Sequence, residues 1–168
     1  MKILTCYYSS TGNTEKVAKA IHEGLGADST LVPIKDADPA TLKDYDLVVL
    51  GSGIYGSKFH KEVISFMKAA GESLAPKFAL FCTHSQPKVS EKGLKRLIGS
   101  IEKAGSELVG MWDCAAPNLG MSAEAIAMMM KNMPDDQRKQ AEAYNERIKN
   151  KPDAEDLESA KAFGKSLL

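Results

Sequence analysis

Residues 3–25 leave little choice of local structure. The apolar run Ile3-Leu4-Thr5-Cys6-Tyr7-Tyr8 leads directly into Ser9-Ser10-Thr11-Gly12-Asn13-Thr14, and Val17, Ala18, Ile21 and Leu25 then follow at helical spacing. The pattern predicts a strand, a tight hydroxyl-rich turn and a helix. Gly12 lets the backbone turn sharply, and the hydroxyls with the first free N–H groups of the helix make a pocket for an anion. The turn holds no lysine or arginine, and the triphosphate-binding pattern G-x-x-x-x-G-K-[ST] is absent from the chain. A single phosphate monoester, held by neutral donors and the helix dipole, fits better. A plainer reading stays open, in which Thr11 or Asn13 is only the cap of the helix.

The rest of the chain repeats the alternation. Ser29 to Ile34 is a short strand whose Pro33 places it at a sheet edge or marks its end. A surface connection from Asp36 to Asp44, with at most one helical turn, leads to Leu47-Val48-Val49-Leu50, a run without alternation that suits a central parallel strand buried on both faces. Val63, Ile64, Phe66, Met67 and Ala70 form a helix ending at Gly71. Phe78 to Cys82 is a fourth strand, Ser90 to Ile101 a helix that buries Leu94, Leu97, Ile98 and Ile101, and Glu107 to Trp112 a fifth strand. Asp153 to Leu168 is a closing helix that packs Leu157, Ala160, Phe163 and Leu167 on the sheet. The expected fold class is α/β, a doubly wound parallel sheet with helices on both faces.

At 168 residues the chain suits one domain, from residue 1 to 168. Lys and Arg number 22, as do Asp and Glu, so the formal net charge is zero, which argues against a general nucleic-acid binder. No segment has the length of a membrane span, and the N-terminal run is too short for a signal peptide, so the expected location is cytoplasmic. Cys6, Cys82 and Cys114 are widely spaced, in or at the end of apolar strands, and read as small buried hydrophobes; with the scattered His22, His60 and His84 they give no metal-ligand spacing.

Gly51-Ser52-Gly53-Ile54-Tyr55-Gly56 matches G-x-G-x-x-G by letter, but Ser57-Lys58-Phe59 intervenes before the next helix and no ribose-binding acid ends the following strand, so a dinucleotide site is rejected. The stretch 115–152 breaks the rhythm. It carries Met121, Met128, Met129, Met130 and Met133, then a helix start at Pro134-Asp135-Asp136 and a charged run from Gln137 to Lys151. Methionines at helical spacing usually mean ordinary packing. Because this excursion leaves from the ligand edge of the sheet, a lid, a dimer contact and a partner surface are all open.

Ser9 to Thr14 resembles the FMN phosphate loop of flavodoxins, and the likeness extends over residues 1–114 and 153–168. It implies a flavodoxin-like three-layer sandwich with a five-stranded parallel sheet in order 2-1-3-4-5, and FMN at the carboxyl ends of the strands. Ser9, Ser10, Thr11, Gly12, Asn13 and Thr14 would hold the phosphate. Ser52, Gly53, Ile54, Tyr55, Gly56, Thr83 and His84 would surround the ring. Tyr55 stands where the family places a stacking aromatic, and Gly56 where a peptide turns over to bond the half-reduced flavin, a change that glycine makes cheap.

Departures from the family pattern also matter. Acidic residues and a second aromatic are commonly found around the ring; here the loops carry Lys58, His60 and Lys61, and His84, Gln86 and Lys88. A basic rim would stabilise anionic reduced FMN, giving a milder reductant, and would suit an acidic partner. Gly51 to Met67 is also similar to the flavodoxin-like protoporphyrinogen oxidases. The implied function is an electron carrier between redox partner proteins, with no catalytic residue and no metal. The alternative is an FMN-dependent oxidoreductase acting on a quinone, a tetrapyrrole, a nicotinamide or another small acidic substrate, with the methionine-rich excursion as a substrate wall. A phosphoacceptor receiver is disfavoured, because Ser9-Ser10 and Gly51-Ser52 stand where it needs acids.

Overall fold

The structure is a computed structural model that describes residues 1–89 and 91–168, with the backbone alone at Glu91. In chain order the strands are β1 (Ile3–Tyr8), β2 (Ser29–Pro33), β3 (Leu47–Tyr55), β4 (Lys58–Phe59), β5 (Lys77–His84) and β6 (Glu107–Ala115). The helices are α1 (Asn13–Leu25), α2 (Lys61–Ala70), α3 (Glu91–Lys103), α4 (Ala123–Lys131), α5 (Asp135–Ile148) and α6 (Ala154–Ser166). The parallel sheet runs β2-β1-β3-β5-β6, the expected order once the short β4 is set aside. Ser90, expected at the start of α3, lies outside the described residues.

The unalternated runs of β1 and β3 are explained by burial on both faces. Leu4, Cys6, Val48, Leu50, Phe78 and Leu80 point to one side, where Val63, Phe66, Met67, Leu94, Leu97 and Ile101 of α2 and α3 cover them. Ile3, Tyr7, Leu47, Val49, Ala79 and Phe81 point to the other, under Val17, Ala18, Ile21 and Leu25 of α1 and Ala160 of α6. Each strand thus alternates between two cores rather than between core and water. Ile98 is only partly buried. On the second face α1 and α6 touch backbone to backbone: a Cβ built on Gly164 would fall 2.3 Å from the Ile21 carbonyl oxygen. Trp112 Nε1 on β6 donates to Ser159 Oγ on α6 at 3.1 Å, and a capping box of Asp153 and Asp156 starts that helix. Burial pushes the Cys6 and Cys114 thiols up to about 12 and the Cys82 thiol likewise upward, which makes all three poor nucleophiles.

Several boundaries differ from expectation. A 3-10 helix, Ile34–Asp36, takes up Ile34 from the expected end of β2, and a second, Pro39–Asp44, capped by Asp38, occupies the expected connection. Strands β3, β5 and β6 continue past their apolar runs, because pairing persists through Gly53↔Thr83 and His84↔Ala115 after the side chains turn polar. Ladder hydrogen bonds, not hydrophobicity, set the strand ends. Residues 57–59, expected to be loop, form a hairpin: Tyr55 pairs with Lys58 around Gly56 and Ser57, both at positive φ (54° and 70°) as a type I′ turn requires. Between β6 and α6 stand α4 and α5, the latter starting after Pro134 as expected.

Candidate functional site

The turn after β1 carries α1 into the sheet's carboxyl edge without a side-chain cap. Gly12 is the N-cap residue at φ 95°, and neither Thr11 nor Asn13 caps the helix, so the plain capping reading is corrected. The Gly12 N–H donates to Ser9 Oγ at 3.1 Å. Thr14, 4% exposed, shares a 2.8 Å hydrogen bond with Thr83 Oγ1 on β5, and Asn13 Nδ2 donates to the Pro117 carbonyl at 3.2 Å. These bonds fix the uncapped helix end against two other loops, and an uncapped end favours negative charge.

The cleft so formed has a volume of about 90 Å³. Ser9, Ser10, Thr11, Asn13 and Thr14 line it from one loop, Gly53, Ile54 and Tyr55 from the second, and Thr83 and His84 from the third. Three residues expected in the site do not line it. Gly12 supplies the turn; Gly56 sits at the hairpin tip. Ser52 is buried, donating to the Gly53 carbonyl at 2.7 Å and accepting the His60 N–H at 3.0 Å, so its role is to brace the second loop. Sequence reading missed Ser85 and the loop 116–120, which close the far wall. The Pro117-Asn118-Leu119-Gly120 turn directly after a strand was the available signal.

Among the described residues, no Lys, Arg, Asp or Glu lines the cleft. Its volume lies well below the roughly 300 Å³ of an ordinary small-molecule site and matches a compact anionic group. Tyr55, 39% exposed, leans across Gly53 with its hydroxyl 2.7 Å from Ser10 Oγ. His60 stacks on Tyr8 at 3.7 Å between ring centroids, with Tyr55 edge-on to it at 4.8 Å. Desolvation lowers the His60 pKa, and its Nδ1 accepts the Glu62 N–H at 3.3 Å, so this ring is neutral and leaves the expected basic rim. Lys58 and Lys61 remain exposed.

His84 supplies the charge instead. Its Nδ1 lies 2.6 Å from the Gln86 carbonyl oxygen and its Nε2 2.9 Å from Asp113 Oδ2; with an acceptor at each nitrogen, the ring donates from both and is an imidazolium. The Asp113 bond raises the His84 pKa against the opposing effect of burial, and His84 in turn lowers that of Asp113. The stability from a raised histidine pKa is complete below the unfolded value, about 6.5, and is lost as pH rises through the folded value. That from the depressed Asp113 is lost only as pH falls below the ordinary carboxylate range. Urea unfolding of wild type and His84→Gln should therefore differ most near about pH 5.5, by about 1 kcal/mol since Asp113 is largely exposed. The gap should narrow as pH rises past the unfolded value and through the raised folded one. A gap that ignores pH would mean a neutral ring.

Among the described residues, no group of three His, Cys, Asp or Glu is placed to hold a metal ion, and no helix is long and apolar enough to cross a membrane. A parallel sheet in this order, with a hydroxyl-lined anion cleft after its first strand, defines a protein of the flavodoxin class. The chain belongs to the flavodoxin family, a flavodoxin domain model matching residues 4–165. It is 30% identical over 169 residues to the uncharacterized protein MJ0298 of Methanocaldococcus jannaschii, covering 100% of this chain and 99% of that one. It is 28% identical over 184 residues to the flavodoxin-like domain-containing protein BilS of Clostridioides difficile, covering 100% and 97%. Flavodoxin 1 of Bacillus cereus, 19% identical, superposes with a TM-score of 0.66 over 98% of this chain and 95% of that one. The family is one of redox flavoproteins.

Proposed function

We propose that the chain works as a single flavodoxin-like domain, located in the cytoplasm, that binds FMN and shuttles electrons between redox partner proteins. The observation that carries this reading is the uncapped start of α1, ringed by hydroxyls at the carboxyl edge of the sheet with Tyr55 beside it. A phosphate monoester fits a cleft ringed by neutral hydroxyls, in which His84, paired with Asp113, is the one cationic lining group among the described residues. Ser9, Ser10, Thr11, Gly12, Asn13 and Thr14 would hold that phosphate, and Tyr55, Gly56, Thr83 and His84 would flank the ring. Bound FMN supplies reversible one- and two-electron chemistry. The protein's residues bind, orient and tune it; none acts as nucleophile or general base. Because Asp113 offsets the His84 charge, the positive charge that favours a reduced flavin is that of the exposed Lys58 and Lys61, which makes for a mild reductant.

Anaerobic reductive titration of the FMN-loaded protein tests this. Two resolved one-electron stages in the visible spectrum are expected of a carrier. A single two-electron stage would instead favour an FMN-dependent oxidoreductase acting on a quinone, tetrapyrrole or nicotinamide, a reading to which a large cavity adjoining the cleft lends weight.

A further inference from the structure

The methionines of the excursion are not packed as ordinary core. Helix α4 has no buried residue, and Met128 and Met129 are 73% and 56% exposed. Between the α4–α5 hairpin and the loops after β5 and β6 lies a cavity of about 790 Å³, within the range of roughly 300–1,000 Å³ that holds small organic molecules. The hairpin is fastened over it. Tyr144 Oη on α5 donates to the Gln86 carbonyl at 2.9 Å, and Ile148 at the end of α5 is 2% exposed.

The lining states the chemistry of the occupant. Among the described residues, no Lys, Arg, Asp, Glu or His borders the cavity, although 26% of the chain is charged. A charged group entering it would lose water and find no partner. Met129, Met130 and Met133 give polarisable, adaptable walls that favour aromatic faces, and Gln137, Gln140 and Asn145 offer neutral donors and acceptors. The cavity also meets the anion cleft, since Ser85, Pro117, Asn118 and Leu119 line both.

We propose that the cavity beneath the α4–α5 hairpin binds an uncharged aromatic molecule, with one end at the mouth shared with the anion cleft. This goes beyond the FMN reading and does not need it. The probe is N-phenyl-1-naphthylamine, compared with 8-anilino-1-naphthalenesulfonate, which has the same skeleton plus a negative charge. Both are titrated into protein carrying [13C]methyl-methionine, with and without FMN. The neutral dye should bind one to one, at least about tenfold more tightly than the sulfonate. It should shift the methyl signals of Met129, Met130 and Met133 while leaving Met1 and Met67 unmoved, with FMN present or absent. Ala141→Trp, which pushes an indole into the cavity, should abolish or sharply weaken those shifts without changing FMN affinity. Equal affinity for the two dyes, unmoved cavity methyls, displacement of the dye by FMN, or self-association that covers these methionines would each overturn the proposal. The wild-type methyl spectrum decides the matter even if the tryptophan variant does not fold.

Discussion

Gly93→Ala should destabilise the protein by about 3 kcal/mol, whereas Gly99→Ala on the same helix should stabilise it by about 0.5–1 kcal/mol. A Cβ built on Gly93 falls 1.3 Å from the Ser57 carbonyl oxygen, so backbone, not a flexible side chain, stands in its way. At Gly99 nothing lies within 4 Å, and alanine gains only its better helix propensity. Urea midpoints of the two variants give opposite signs if α3 rests on the β3–β4 hairpin as described. A neutral Gly93→Ala would mean that it does not. The same contact matters to the site, because the hairpin it supports holds Tyr55 at the cleft.

The second large effect concerns FMN affinity. A hydrogen bond to a charged group is worth about 1.5–3 kcal/mol, so Thr11→Ala with Thr14→Ala should weaken FMN binding by roughly 100-fold or more. Riboflavin, which lacks the phosphate, separates this from general damage. Wild type should strongly prefer FMN to riboflavin, and the double variant should lose most of that preference. Part of any stability loss has another source, since removing the Thr14 hydroxyl strands the buried Thr83 hydroxyl. An unchanged preference for FMN would show that the phosphate sits elsewhere.

The sheet was legible because its central strands are apolar runs without alternation, as suits burial on both faces, and the half-buried edge strands β2 and β6 followed from the strand–helix rhythm around them. The polar ends of the strands were not legible. Gly51 to Tyr55, Thr83-His84 and Asp113 to Ala115 belong to strands by hydrogen bonding alone, and hydropathy carries no trace of that. The same blindness hid Asp113 as the partner of His84, 29 positions away in sequence. The letters G-x-G-x-x-G now have a packing explanation. A Cβ on Gly51 would lie 1.9 Å from the Phe81 ring, one on Gly53 would press on Tyr55 at 3.1 Å, and Gly56 serves the turn at positive φ. None of the three marks a dinucleotide. The methionines show the reverse failure: their helical spacing was real, but spacing does not say what a helix packs against, and here it borders a cavity.

The chain has one tryptophan, and the bond from Trp112 to Ser159 places it on the seam between β6 and α6, away from the residues that line the cleft. Intrinsic tryptophan emission is therefore an optical gauge of whether α6 is seated. A fluorescence-monitored melt follows the release of that helix, and events in the cleft are left to Tyr8 and Tyr55, whose rings meet His60 at its rim.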